Sequence, residues 1–372
     1  MMRKATLVSF VSLVMFAGMT ACASNGARPA NAVHADSRDA ISFAKASADL
    51  ARAQRGRGEF DLAERTLRSA MDRLNASGDR GALAEVEAGL IWVLADRSFY
   101  VSVDNDAARK TIEEAKRISR ESGNRGALAT ATDAGAFFEY RDILFNGGSY
   151  TRVRREFEDA FSGYETLGDL SGQAMSLFHI GLTYEQDGKK AAARPYYQRA
   201  AAAAERADDA ATLSFPVRHL GYLFAADGNL DEALRYQRRC LFLRIRGGLT
   251  LNVPYAYIAV GDAELAKGQS ARARVYYNDA LDLSREQGSE SAALEAHKSL
   301  GKVDERENHK DVAIRHYLEA LGVADKLKRN SDIKEVCENL ARVYQLAGDR
   351  DKAQFYGQRA READNAMKTK GR

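Results

Sequence analysis

Between residue 41 and about residue 366 the apolar positions recur at helical spacing, and the recurrence itself repeats. In "LFHIGLTYEQDGKKAAARPYYQRA", Leu177, Ile180, Gly181 and Tyr184 stand at i, i+3, i+4 and i+7, which is one face of a helix. The polar turn "QDGKK" follows, with Gly188 where a helix C-terminus favours glycine. Ala193, Tyr197 and Ala200 then make the stripe of a second helix. Each such pair predicts a helical hairpin whose small residues, Gly181 and Ala193, let the two helices approach closely.

The hairpin returns every forty residues. Gly181, Gly221, Gly261, Gly301 and Ala341 share one position, and Ala193, Ala233, Ala273, Ala313 and Ala353 share another. Three further units lie upstream, at a spacing of forty-five. The inter-repeat loop "SGDRGALA" at 77–84 recurs as "SGNRGALA" at 122–129. Self-similarity at such a period predicts a stacked array in which each unit covers the apolar face of its neighbour. The expected fold is all-α: an α-α superhelix of about eight helical hairpins, with 40–45 residues per repeat.

The pattern resembles the tetratricopeptide repeat, W-x2-L-G-x2-Y…A-x3-F-x2-A. Leu177, Ile180, Gly181, Tyr184, Ala193, Tyr197 and Ala200 fill its seven places. The chain departs from the family in its longer period, in lacking the closing Pro, and in having Leu177, Val217, Tyr257, His297 and Cys337 where Trp is usual. The resemblance implies a concave surface lined by the first helix of each unit. In this chain those places hold Phe138, Phe178, Leu182, Arg218, Tyr222, Tyr255 and Ile258, an aromatic and aliphatic stripe that is the expected contact for a protein or peptide partner. The competing reading is that long helices bury this stripe against the next unit. The last two units are charged at the same places: Glu295, Lys298, Lys302 and Glu305, then Glu335, Glu338, Arg342 and Gln345.

Composition agrees with helices, since 372 residues include only 4 prolines. The net charge of +3 falls near neutrality without Arg3 and Lys4, so no nucleic-acid partner is expected. Those two basic residues open "MMRKATLVSFVSLVMFAGMTACASNG", whose apolar stretch is too short for an ordinary membrane span and reads as an export signal over residues 1–21. Met19-Thr20-Ala21-Cys22 resembles the lipobox of bacterial lipoproteins, which implies cleavage before Cys22 and its acylation. Ala21-Cys22-Ala23 also suits an ordinary cut after Ala23 and release to the periplasm. Residues 22–40 are expected to be a flexible tether reaching at most roughly 60 Å, and residues 367–372 a disordered tail. The expected address is the bacterial cell envelope, on the periplasmic side of the outer membrane, with the lipid as the membrane contact.

Catalytic motifs are lacking: there is no H-E-x-x-H, G-x-S-x-G, P-loop or strand-borne G-x-G-x-x-G. His179 and His219 occupy one repeat position, followed in later units by Ala259, Ser299 and Asn339, which suits a structural or groove-lining role better than a metal site. His309 and His316 are expected at a solvated surface. Cys240 and Cys337 lie too many units apart for a disulfide. No enzyme activity and no cofactor are expected. The leading function is an envelope adaptor that binds another protein through the concave groove; the alternative is a sensor of a peptide or small ligand in the same channel.

Overall fold

The computed structural model describes residues 30–101 and 104–370. The expected signal segment, Cys22, the expected tether up to residue 29, residues 102–103 and residues 371–372 lie outside the described residues. Sixteen α-helices pair into eight hairpins among them. The first three are α1 (Ala30–Gly56) with α2 (Phe60–Ser77), α3 (Arg80–Tyr100) with α4 (Asn105–Ser122), and α5 (Arg125–Asn146) with α6 (Thr151–Leu167). The next three are α7 (Leu170–Gln186) with α8 (Lys190–Arg206), α9 (Ala210–Ala226) with α10 (Leu230–Arg246), and α11 (Val253–Ala266) with α12 (Ser270–Glu286). The last two are α13 (Glu290–Arg306) with α14 (Lys310–Leu327), and α15 (Asn330–Ala347) with α16 (Arg350–Lys370).

The forty-residue period has a simple origin. From α7 to α10 every helix has 17 residues and is followed by a three-residue turn, so helices begin at 170, 190, 210 and 230. One residue in each turn has a positive φ, at positions twenty apart: Gly168, Gly188, Asp208, Gly228, Gly248, Gly268, Gly288, Asn308, Lys328 and Gly348. Glycine or Asn meets that requirement at little cost, while Asp208 and Lys328 hold it with a side chain attached. Asp79, Asn124, Asp169 and Asp209 cap the first helices of successive units, each accepting a hydrogen bond from the backbone N–H three residues on. The forty-five-residue units upstream arise because α3 and α5 run to 21 and 22 residues.

Packing inside a unit turns on the signature glycine. A Cβ at Gly181 would lie 2.5 Å from Cε1 of Tyr197, and one at Gly261 would lie as close to Tyr277, at 2.5 Å. Each tyrosine ring is fully buried against the glycine's bare backbone. Between units, the first helices pack on one another in sequence from α1 to α13 and form the inner layer, with the second helices outside.

The superhelix then meets itself. The α3 helix touches α13, α5 touches both α15 and α16, and α1 touches the 3-10 turn Thr250–Asn252. Asn252 donates to the Tyr100 hydroxyl at 2.9 Å, and Arg329 donates to the Phe99 carbonyl, 230 residues away in the chain. Two expected boundaries differ in the structure. The tether expected over 22–40 is already helical from Ala30, since no Gly or Pro interrupts residues 30–55. The tail expected from residue 367 is helical to Lys370, and the Met367 backbone closes on Gly147, where a side chain would have no room. No described helix is long and apolar enough to cross a membrane.

Candidate functional site

The inner layer brings the predicted stripe together on neighbouring helices, with Phe178 and Leu182 on α7, Arg218 and Tyr222 on α9, and Tyr255 and Ile258 on α11. Most of it is core. Phe138 is completely buried, and Phe178, Leu182, Tyr255 and Ile258 are each less than a tenth exposed. The Phe178 ring packs against Tyr197, Phe215 and His219 at centroid distances of 5.8, 5.6 and 5.3 Å. Tyr255 meets Tyr100 across the seam at 6.3 Å and joins Leu251 and Ala292 in one apolar cluster. Burial pushes the Tyr255 hydroxyl up to about 12. The expected open aromatic channel is therefore a packed interior along most of its length: Phe178, Leu182 and Ile258 are buried against their own and adjacent units, as the competing reading had it, and Tyr255 against Tyr100 of the second unit across the seam.

Arg218 and Tyr222 differ from the other five in remaining half-buried. The Arg218 guanidinium lies over the Tyr222 ring at 5.2 Å and donates to its hydroxyl at 3.3 Å, while its Nε has no hydrogen-bond partner. Arg244, 1% exposed, donates to the Asn252 carbonyl and also has an unpartnered Nε. Among the described residues neither arginine forms an ion pair. Asp262 and Glu185 both act on Arg218 through space, and each is already engaged, Asp262 by the Tyr277 hydroxyl at 2.8 Å and Glu185 by His219 at 2.7 Å. The inner face thus holds one half-buried cation, Arg218, without a directly bound counter-charge, an arrangement that favours an incoming carboxylate.

The histidines serve packing and polar pairing. His179 is buried between the Phe137 and Phe157 rings, each 4.8 Å away, and its Nδ1 donates to Asp133 at 2.9 Å. His219 pairs with Glu185 at 2.7 Å, and Glu185 also accepts from the Tyr197 hydroxyl at 2.5 Å. Burial alone would raise the Glu185 carboxyl, but the bonds and charge supplied by His219, with Tyr197, outweigh it and hold Glu185 down at about 2. His316 faces His297 across 3.0 Å with Asp304 beyond, and burial lowers His297 to about 4. Asp304, Glu307 and His309 present ligand atoms within 4.8 Å of one another, but Arg274 already bridges the two carboxylates. Cys240 and Cys337 are both buried free thiols.

Two features escaped the sequence reading. The first is an open groove of about 640 Å³ at the end of the array, floored by Ala341, Ala353, Gly357 and Ala360. Gly357 stands forty residues after Tyr317, where the packing tyrosine belongs, so its signal was present in the repeat register. The second is a polar cleft of about 360 Å³ at the seam, between the α3–α4 and α14–α15 turns. Nothing local announces it, because its walls are nearly two hundred residues apart in sequence.

Residues 175–206 match the tetratricopeptide-repeat family, from the middle of α7 to the end of α8. Over those residues the chain is similar to a tetratricopeptide repeat. Its fold is similar to that of a Rap protein complexed with Competence and Sporulation Factor, at 12% identity and a TM-score of 0.62 over 92% of this chain and 100% of that one. The apo form of the quorum sensor NprR from B. thuringiensis is similar at 13% identity and 0.58, over 86% and 87% of the two chains. Apo RapI is similar at 14% identity and 0.51, over 91% and 99%. These likenesses establish an all-helical repeat solenoid. No curated protein matches the chain by sequence.

Proposed function

We propose that the protein is a non-enzymatic binding scaffold whose inner face holds a peptide segment of a partner through a carboxylate placed on Arg218. The observation that carries this reading is the exposure pattern of the stripe: Arg218 and Tyr222 stay half-buried in an otherwise packed interior, and Arg218 lacks an ion-pair partner. A preformed rigid surface binds an extended segment with little ordering cost of its own. Tyr222 supplies a flat apolar face beside the charge, the combination on which interface energies concentrate.

The closed superhelix favours a narrow occupant over a broad docked domain, which gives weight to the sensor reading as well. In that reading the bound peptide shifts the balance between closed and opened seams. The similar folds include a Rap structure in complex with Competence and Sporulation Factor and a quorum sensor, in keeping with a ligand in such a superhelix. The envelope address belongs to the same proposal. The apolar run before Met19-Thr20-Ala21-Cys22 supports export and lipid attachment at Cys22, with the solenoid held near the membrane.

Cross-linking in intact envelopes tests the partner. The wild type is compared with Arg218→Ala/Tyr222→Ala, whose half-buried sites make misfolding less of a risk than at Phe178, and circular dichroism checks that both are folded. A protein captured by the wild type and lost from the variant is the expected result; identical capture by both sinks the inner-face assignment. Metabolic labelling with palmitate tests the anchor, with incorporation expected in the wild type and lost in Cys22→Ser.

A further inference from the structure

The seam cleft is lined by Ser98, Asn105, Arg141, Asp142, Asn146, Leu327, Lys328, Arg329 and Asn330, together with Val101 at its edge, and its chemistry is lopsided. Three side chains are cationic and one is anionic. Arg329 is 4% exposed; its guanidinium lies 4.1 Å from the Phe145 ring centroid and donates to the Ser291 hydroxyl at 2.8 Å. Arg141 is 9% exposed and donates to the Ser98 carbonyl at 3.2 Å and to Asn105 at 3.0 Å, and its buried Nε has no partner. Lys328 is exposed at the mouth and forms no ion pair among the described residues.

The acids nearby are already engaged. Asp142 accepts from Asn146 at 2.8 Å and from Arg109 at 3.3 Å. Asp332, in the first turn of α15, accepts from Lys298 at 3.1 Å, and its other oxygen lies 3.7 Å from Arg329. Burial lowers the Arg141 pKa, the neighbouring Asp142 carboxylate opposes the shift, and the charges of Arg329 and Arg109 add to it. Closing the superhelix therefore places two buried guanidinium groups at one cleft, where Asp142 and Asp332 offset only part of the positive charge that Arg141, Arg329 and Lys328 bring.

The start of α15 adds to this. Its first intrahelical hydrogen bond is Ile333 N–H to the Arg329 carbonyl, and no side chain caps it. The N–H groups of Asn330, Ser331 and Asp332 are left without intrahelical acceptors at the positive end of an 18-residue helix. Helix N–H groups, one unpaired lysine and a buried arginine lining the cleft are the elements of an oxyanion site.

We propose that the seam cleft binds a phosphate-type oxyanion, held by Arg141, Lys328 and the first turn of α15, and that the bound anion fastens the third unit to the eighth. This site is separate from the inner-face stripe, so either can fail without the other. Inorganic phosphate and O-phosphoserine are the probes, titrated calorimetrically into the full chain against chloride at matched ionic strength. Saturable binding at one site per chain is expected, at least fivefold weaker in Lys328→Asn and at least tenfold weaker in Arg141→Gln. Asn tolerates the left-handed backbone at position 328, and the position is exposed, so that variant stays informative should Arg141→Gln fail to fold. Tighter binding of phosphoserine assigns the cleft to a phosphate monoester; tighter binding of inorganic phosphate assigns it to the free ion. Bound anion should also slow hydrogen exchange at Asn330–Asp332. No saturable binding of either probe, or an unchanged affinity in Lys328→Asn, overturns the proposal.

Discussion

The α7–α8 and α15–α16 hairpins share one backbone template and differ at nearly every place that matters. Where the first has Phe178, His179, Gly181, Leu182, Glu185 and Tyr197, the second has Glu338, Asn339, Ala341, Arg342, Gln345 and Gly357. The inner hairpin is covered on both sides, so an aromatic ring fills the bare glycine and its hydroxyl finds a carboxylate. The end hairpin stacks on one neighbouring hairpin only and otherwise meets α5 across the seam. There the ring is replaced by an open groove, and charge replaces the apolar stripe, with Arg342 reaching back to Glu305 at 2.6 Å. The difference is what a terminal unit of a stacked array needs in order to stay soluble.

The largest expected effect comes from removing the inner ring. Tyr197→Ala should cost about 3–5 kcal/mol in chemical denaturation, whereas Tyr356→Ala, in the half-exposed stack with Tyr344, should cost about 1–2 kcal/mol. Equal losses would mean the end hairpin is as tightly covered as the inner one. Next is the glycine. Gly181→Ala drives a methyl into Tyr197 and should cost about 1–3 kcal/mol, while Ala341→Gly should cost about 1 kcal/mol, the helix-propensity difference alone.

A third contrast is acid sensitivity. The Glu185 carboxyl is depressed from 4.5 to about 2 in the folded protein, so the stability it confers is present above pH 4.5 and is lost as pH falls toward 2. Thermal melts of Glu185→Gln should fall less steeply over that interval than those of the wild type, and Gln345→Glu should not add to the slope. The smallest effect is a gain. Ala341→Gly combined with Gly357→Tyr rebuilds the inner arrangement at the end of the array and should raise stability by about 0.5–2 kcal/mol through filling of the groove. A loss instead would show that the groove's shape is held by α16 itself.

Much of this fold was legible because repeats state their rules several times. Gly188, Gly228, Gly268 and Gly348 mark one turn at fixed intervals, and Gly181 and Tyr197 recur together as Gly261 with Tyr277 and Gly301 with Tyr317. The candidate site was legible only in part. Helical phase placed Phe178, Arg218, Tyr222, Tyr255 and Ile258 on inner helices, but their exposure depends on how closely neighbouring units pack over them, and Tyr255 is covered from across the axis by Tyr100.

Local chemistry along the chain was thus enough to determine the helices, their turns, their pairing and the inward face of each hairpin, because these depend on residues within about forty positions of one another. Only the tertiary structure decided that the superhelix closes, that most of the aromatic stripe is core, and that Arg141 and Arg329 share a cleft. Closure sums small rotations over eight units. No single repeat encodes that sum, and contacts such as Arg329 with Phe99 exist only once every intervening hairpin has been stacked.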